Sequence, residues 1–260
     1  MPVSFNQEIF EVRGCKITLK RGGSGRKLLY LHGASGAAAV RPFMQELAKE
    51  FEMFVPEHPG FGGSDEPEWL DNIHDLAYFY LDFLEQLDLK DVLLVGASIG
   101  GWLALEIAVR DASRIRALTA VGPLGIYVPG FKRGDLFLWS PEEKVRNLFF
   151  DQKLAEQTLA QPTTPEQIET EVKNQYTVAR LAWEPRMFDP HLAKWLHRVK
   201  VPTQIVWGDS DKVLPAGYAA EFKKLIPHAR VDIVERCGHT PHVEKPQEFA
   251  RLVREFAAKN

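Results

Sequence analysis

At 260 residues, 45% of them apolar, the chain can bury one substantial core, and a single domain of the larger α/β kind is the simplest division. Its 32 Lys and Arg against 35 Asp and Glu leave a formal net charge of −3, which gives no electrostatic basis for a nucleic-acid partner or an anionic membrane. No apolar stretch is long enough to cross a bilayer, and the opening residues lack the basic start and apolar core of a secretion signal.

In chain order, residues 8–12 and 15–20 read as a β-hairpin turning at Arg13-Gly14. The apolar runs KLLYLHG (27–33) and MFVPEHPG (53–60) read as buried strands bounded by Gly and Pro. Ile73, Leu76, Ala77, Tyr80, Leu84 and Leu87 then recur at steps of three and four, the spacing of an amphipathic helix. DVLLVG (91–96) is the next strand, a helical run covers 98–110, and IRALTAVG (115–122) is the sixth strand. After a long strandless stretch come TQIVWG (203–208), a helix over 216–226, ARVDIVE (229–235) and a last helix over 246–258. This alternation predicts an α/β fold: a mostly parallel, doubly wound sheet with right-handed crossovers and helices on both faces. Residues 1–123 and 197–260 form the expected core domain.

The strandless stretch, 124–196, is too long for a structureless loop in a compact domain and is expected to fold as a helical subdomain. It is rich in aromatics (Phe131, Phe137, Trp139, Phe149, Phe150, Tyr176, Trp183) and broken by prolines. That composition favours a cap above an active site over an extra structural layer. Trp139, Trp183 and Arg180 are its candidate substrate contacts.

The chemistry centres on GASIGG (96–101), where Ser98 lies between an apolar strand and a helical run. Small residues around a serine in that setting allow the sharp turn of a nucleophile elbow, with the hydroxyl at the carboxyl end of the sheet and over a helix N-terminus. Ser35 is a weaker rival because no glycine stands two residues before it. A serine needs a base. His239, in the loop after the last strand, is the base of choice, with His242 the runner-up; His191, His197 and His228 read as surface residues. The base needs an orienting acid. WGDSDKVLP offers Asp211, with Asp209 assigned to the turn, whereas PLGIYVPG after the sixth strand offers none. GGSGRK (22–27) precedes a strand and lacks phosphate-loop spacing, and His239, His242 and Glu244 make a poor metal set, so neither metal nor cofactor is expected. Cys15 and Cys237 read as reduced thiols in a cytoplasmic protein, a single disulfide being the alternative.

The order Ser98, Asp211, His239 resembles that of the α/β-hydrolase family. LHGASG (31–36), PGFGGSD (59–65), GASIGG, WGDSDKVLP (207–215) and CGHTPHVEKP (237–246) carry the resemblance in order along the chain, with about 124–195 corresponding to the family's variable cap. The resemblance implies that Ser98 is the nucleophile, His239 the base and Asp211 its orienting acid. It further implies that His32-Gly33 opens an oxyanion loop, with the amides of Ala34 and Ile99 as donors and His32 structural. A serine at the nucleophile position disfavours the relatives that use aspartate there, the haloalkane dehalogenases and epoxide hydrolases.

The expected activity is therefore hydrolysis of small-molecule carboxylic esters with a hydrophobic portion, by a serine esterase. One alternative is a carbon–carbon bond hydrolase of the meta-cleavage type. Such relatives bind an acidic dienone, for which Arg180 or Arg186 would serve, but they often carry Asn where Ala97 stands. A ligand receptor with slow turnover on the same fold is the other alternative. Oligomeric state is left open.

Overall fold

A computed structural model describes residues 2–260. The eight strands are β1 (Phe5–Val12), β2 (Cys15–Gly22), β3 (Arg26–Leu31), β4 (Phe51–Pro56), β5 (Val92–Ala97), β6 (Ile115–Val121), β7 (Thr203–Gly208) and β8 (Arg230–Val234). They form one sheet in the order β1-β2-β4-β3-β5-β6-β7-β8. The hairpin β1–β2 and its junction with β4 are antiparallel; every other pairing is parallel.

Side chains alternate across the strands, and both faces are covered. On β3, Leu29 and Leu31 enter one core with Leu94 and Leu118, while Leu28 and Tyr30 enter the other with Leu93 and Val95. A strand buried on both faces reads as an unbroken apolar run, which is why KLLYL and DVLLV lack alternation. Helix α1 (Pro42–Leu47) lies on the second face, and α2 (Ile73–Gln86) and α3 (Ile99–Arg110) lie on the first. Asn72 starts α2 by accepting hydrogen bonds from the amides of His74 and Asp75. Helix α1 is absent from the sequence reading: six residues give no period to detect, although Phe43, Met44 and Leu47 are buried.

Between β6 and β7 the chain makes α4 (Pro141–Leu148), α5 (Gln152–Leu159), α6 (Pro165–Ala182) and α7 (Leu192–Trp195), and no strand. Ser140 and Thr164 cap α4 and α6, with Pro141 and Pro165 in the first turn, where a missing N–H costs nothing. These two prolines thus begin helices instead of breaking them. After β7 come α8 (Gly217–Leu225), α9 (Pro241–Glu244) and α10 (Pro246–Ala258). Among the described residues, no helix is long and apolar enough to cross a membrane.

Candidate active site

The sheet ends position the site. β5 stops at Ala97 and α3 begins at Ile99, leaving Ser98 as the single hinge residue, with φ 56° and ψ −115°. Positive φ at a non-glycine residue costs about 1–3 kcal/mol and persists only where the surroundings enforce it. They do so here: the Ser98 amide donates to Val121 O, and Ser98 O accepts from the amides of Trp102 and Leu124. Gly96 and Gly100 make the bend possible by close approach. A Cβ at Gly96 would lie 2.1 Å from Gly100 O, and one at Gly100 would lie 2.1 Å from Leu31 O.

The hydroxyl of Ser98 is 2.8 Å from His239 Nε2, and His239 Nδ1 is 2.7 Å from Asp211 Oδ2. Asp211 Oδ1 accepts from the amides of Val213 and Leu214 at 2.8 and 3.0 Å. Asp211 is 6% exposed and His239 2%, so the carboxylate and the ring orient one another away from bulk water. With Nδ1–H donated to Asp211, Nε2 is the acceptor that faces the serine proton. The Asp211 loop departs from the end of β7, and the His239 loop follows β8. Asp209 does the turn work: its carboxylate accepts from the Cys237 amide and the Ser210 hydroxyl.

Ala34 lies in a turn closed by Gly36 N–H donating to Gly33 O at 3.2 Å. A Cβ on Gly33 would be 3.3 Å from Ser98 Cβ, so this turn abuts the serine. The Ile99 amide heads α3 and has no partner within the helix. The Ile99 amide thus heads a helix N-terminus that favours negative charge, and the 33–36 turn abuts the same serine. Beneath the turn is a residue the sequence reading missed, His58. It stacks on His32 with ring centroids 3.6 Å apart. Its amide donates to His32 Nε2, its Nε2–H to His32 O, and its Nδ1 lies 2.5 Å from the Tyr80 hydroxyl. His32 Nδ1–H in turn donates to Gly33 O. Burial pushes His32 down to about 4 and His58 well below the ordinary histidine value, so both hold the turn as neutral rings. Nothing in EHPGFGG signals a partner 26 positions away.

The other candidates are placed elsewhere. His242 sits among the rings of Tyr30, Phe43 and Phe249, and burial holds it near 3, which makes it a packed neutral ring. Ser35 is exposed. Arg180, expected to meet substrate, instead donates to Glu68 O and pairs with Glu66 and Asp71 of the loop before α2. Arg186 grips both oxygens of Asp135 and stacks 3.9 Å over Trp183, which is 49% exposed. Trp139 is half-buried against Gly134, whose amide bonds Val213 O just beyond Asp211. Of the three expected contacts it is the one tied to a triad loop.

His239, His242 and Glu244 do not converge on a metal: Glu244 accepts from the amides of Gly238, Phe150 and Asp151. His74, Glu106 and Asp189 do bring ligand atoms within 4.8 Å of one another. Arg110 already supplies that cluster's cation, contacting both Glu106 and His74, and Trp102 Nε1 donates to Glu106 as well. The GGSGRK turn is packed against a neighbouring segment, with Gly23 and Gly25 facing the carbonyl oxygens of Ala48, Glu50 and Phe51, so it offers no phosphate cradle. Cys15 and Cys237 are both free and buried.

A doubly wound sheet, a strained serine elbow and a histidine–aspartate pair at the carboxyl strand ends define a hydrolase of the α/β kind. Residues 27–246 match the profile of the α/β hydrolase fold, and the chain belongs to that family. It is similar to 2-hydroxy-6-oxo-2,4-heptadienoate hydrolase of Pseudomonas putida, 25% identical with 94% of each chain covered. Among solved structures it resembles the 2-hydroxy-6-oxo-6-phenylhexa-2,4-dienoate hydrolase of Rhodococcus sp. strain RHA1. That match has TM-score 0.79 and 20% identity over 98% of this chain and 99% of that one. It also resembles a bacterial membrane phospholipase A, with TM-score 0.75 and 25% identity over 98% of this chain and 86% of that one.

Proposed function

We propose that the chain is a serine hydrolase working through an acyl-enzyme, with Ser98 as nucleophile, His239 as base and Asp211 as orienting acid. The observation that carries this reading is the unbroken run of hydrogen bonds from Ser98 Oγ to His239 to Asp211 and on to the Val213 and Leu214 amides. As Oγ attacks a carbonyl, His239 Nε2 takes its proton, and the charge on the ring faces Asp211. The amides of Ala34 and Ile99 are the donors for the oxyanion. His239 then passes the proton to the leaving group, and water repeats the steps to release the acid.

For the substrate, a neutral carboxylic ester with a hydrophobic portion is the reading the geometry favours. The two arginines considered for an acidic substrate are engaged by carboxylates, Arg180 by Glu66 and Asp71 and Arg186 by Asp135, which leaves neither of these two charges free for an acid. The second reading is cleavage of a carbon–carbon bond in a dienoate. The names of the relatives support it better than they support ester hydrolysis, since the P. putida and Rhodococcus proteins are both dienoate hydrolases.

A panel of p-nitrophenyl esters of increasing acyl length beside a 2-hydroxy-6-oxo-dienoate decides between them. Multiple turnover of the esters, rising by up to about fourfold per added methylene, is the expected result. Strong preference for the dienoate would move the protein to the second reading, and no turnover of either would leave a receptor. Ser98→Ala is expected to lower the rate on the preferred substrate by about 10⁴-fold or more; an unchanged rate would remove Ser98 from the chemistry.

A further inference from the structure

Helix α6 docks on the core through a polar face: Lys173, Asn174, Thr177 and Arg180 recur at helical spacing. Lys173 Nζ donates to Gly62 O and Ser64 O, and Thr177 Oγ1 to Gly60 O, so these two hold only the loop at 60–64. Asn174 does something different. It is 4% exposed, its Oδ1 accepts from the Gly62 amide at 2.9 Å, and its Nδ2 donates to Ser35 O at 3.3 Å. Ser35 follows Ala34 directly, inside the turn that Gly33 O and Gly36 N–H close. Gly36 has φ +76°, and a Cβ there would sit 2.9 Å from Asn174 Nδ2. The amide therefore packs directly against the turn whose N–H would face an oxyanion.

We propose that Asn174 is a positioning residue for the oxyanion turn: from α6 it clamps Ser35 O and so fixes the direction of the Ala34 amide. The turn is otherwise held from below, by His32 Nδ1–H on Gly33 O. Asn174 supplies a second restraint, at Ser35 O and from helix α6. A turn of two exposed or half-exposed central residues can rock about its ends, and an N–H tilted away from the developing charge stabilises it less. The inference rests on the reading of Ser98 as nucleophile and Ala34 as donor.

The test uses the rate at which a fluorophosphonate labels Ser98, because that reaction needs the nucleophile, the base and the oxyanion donors whatever the natural substrate is. Asn174→Asp keeps the acceptor for Gly62 N–H and replaces the donor to Ser35 O by a repelling carboxylate. Removing a whole oxyanion donor costs 10²–10³-fold, so a misaimed one is expected to slow labelling by about 10- to 100-fold. On an ester that the wild type turns over, kcat should fall by the same factor with KM little changed. Lys173→Met and Thr177→Val loosen the same docking face without touching the turn, and should leave the labelling rate within about twofold. Should the aspartate variant fail to fold by circular dichroism, Asn174→Ala is read in its place. Equal effects in all these variants would mean that Asn174 merely docks the helix and would overturn the inference. A wild type that takes up no label would instead remove the serine reading beneath it.

Discussion

His242 stands three residues from the candidate base and is held as a neutral ring in the folded protein. Burial is the main cause, with the charges of His239 and Arg41 adding to it, and together they push the ring from 6.5 down to about 3. Its Nδ1 is buried without a hydrogen-bond partner, and its neighbours are the rings of Tyr30, Phe43 and Phe249. Phenylalanine should fit this site. The sign of the linkage follows from the depressed value. Above pH 6.5 neither state binds the proton; below it the unfolded chain does and the folded protein refuses, so folding weakens as pH falls toward 3. At pH 5 the difference is about 1.5 pH units, or about 2 kcal/mol from this residue. His242→Phe removes that contribution. With an m value of about 3 kcal/mol/M, the fall in urea midpoint between pH 7.5 and pH 5 should be about 0.7 M smaller in the variant than in the wild type. The variant should also keep its hydrolytic rate within a few fold. Equal falls in midpoint would show that the native ring takes up a proton, and a loss of activity matching that of His239→Ala would make His242 the base.

Asp211→Asn should leave a folded protein whose kcat is down by about 10⁴-fold, because an amide donor at Oδ2 would turn the His239 ring into the wrong tautomer; near-normal kcat would refute the orienting role. Arg180→Ala and Arg186→Ala should each change kcat/KM on neutral esters by less than about threefold and stability by about 1 kcal/mol or less, since these are partly exposed pairs. A collapse of activity on an acidic dienone in either variant, with esters spared, would assign that arginine to the substrate after all.

The central strands were readable because two-sided burial writes them as apolar runs, and α2 because its inward face repeats at helical spacing. Short α1, entered from Arg41 without a Ser, Thr, Asp or Asn cap, leaves no such trace. At the site, Ser98, Asp211 and His239 were readable for a topological reason: in a parallel sheet all strand ends of one sense meet at one edge, so residues just after β5, β7 and β8 must be neighbours. What escaped depends on partners the chain order hides. His58 finds its meaning only when stacked on His32, and Asn174 looks like an ordinary polar position until Ser35 O is placed beside it. Arg180 shows the converse. Its charge suggested an acid in the substrate, and the acids were Glu66 and Asp71 of the chain itself.

The helical segment between β6 and β7 is bonded to every loop that presents a triad residue. Leu124 N–H donates to Ser98 O, His239 N–H donates to Leu148 O, and Gly134 N–H donates to Val213 O two residues past Asp211. Glu244 adds a fourth tie, joining the Gly238 amide to those of Phe150 and Asp151. An insertion that only lined a pocket would affect binding and leave the chemical step untouched. One that shares backbone hydrogen bonds with the serine, the imidazole loop and the acid loop transmits any shift directly to distances that matter at the scale of tenths of an ångström. Substitutions that shift the backbone at these ties should therefore change kcat as readily as KM, and a segment exchanged from a relative to alter specificity should fail unless the residues at 124, 134, 148 and 150–151 keep their backbone positions.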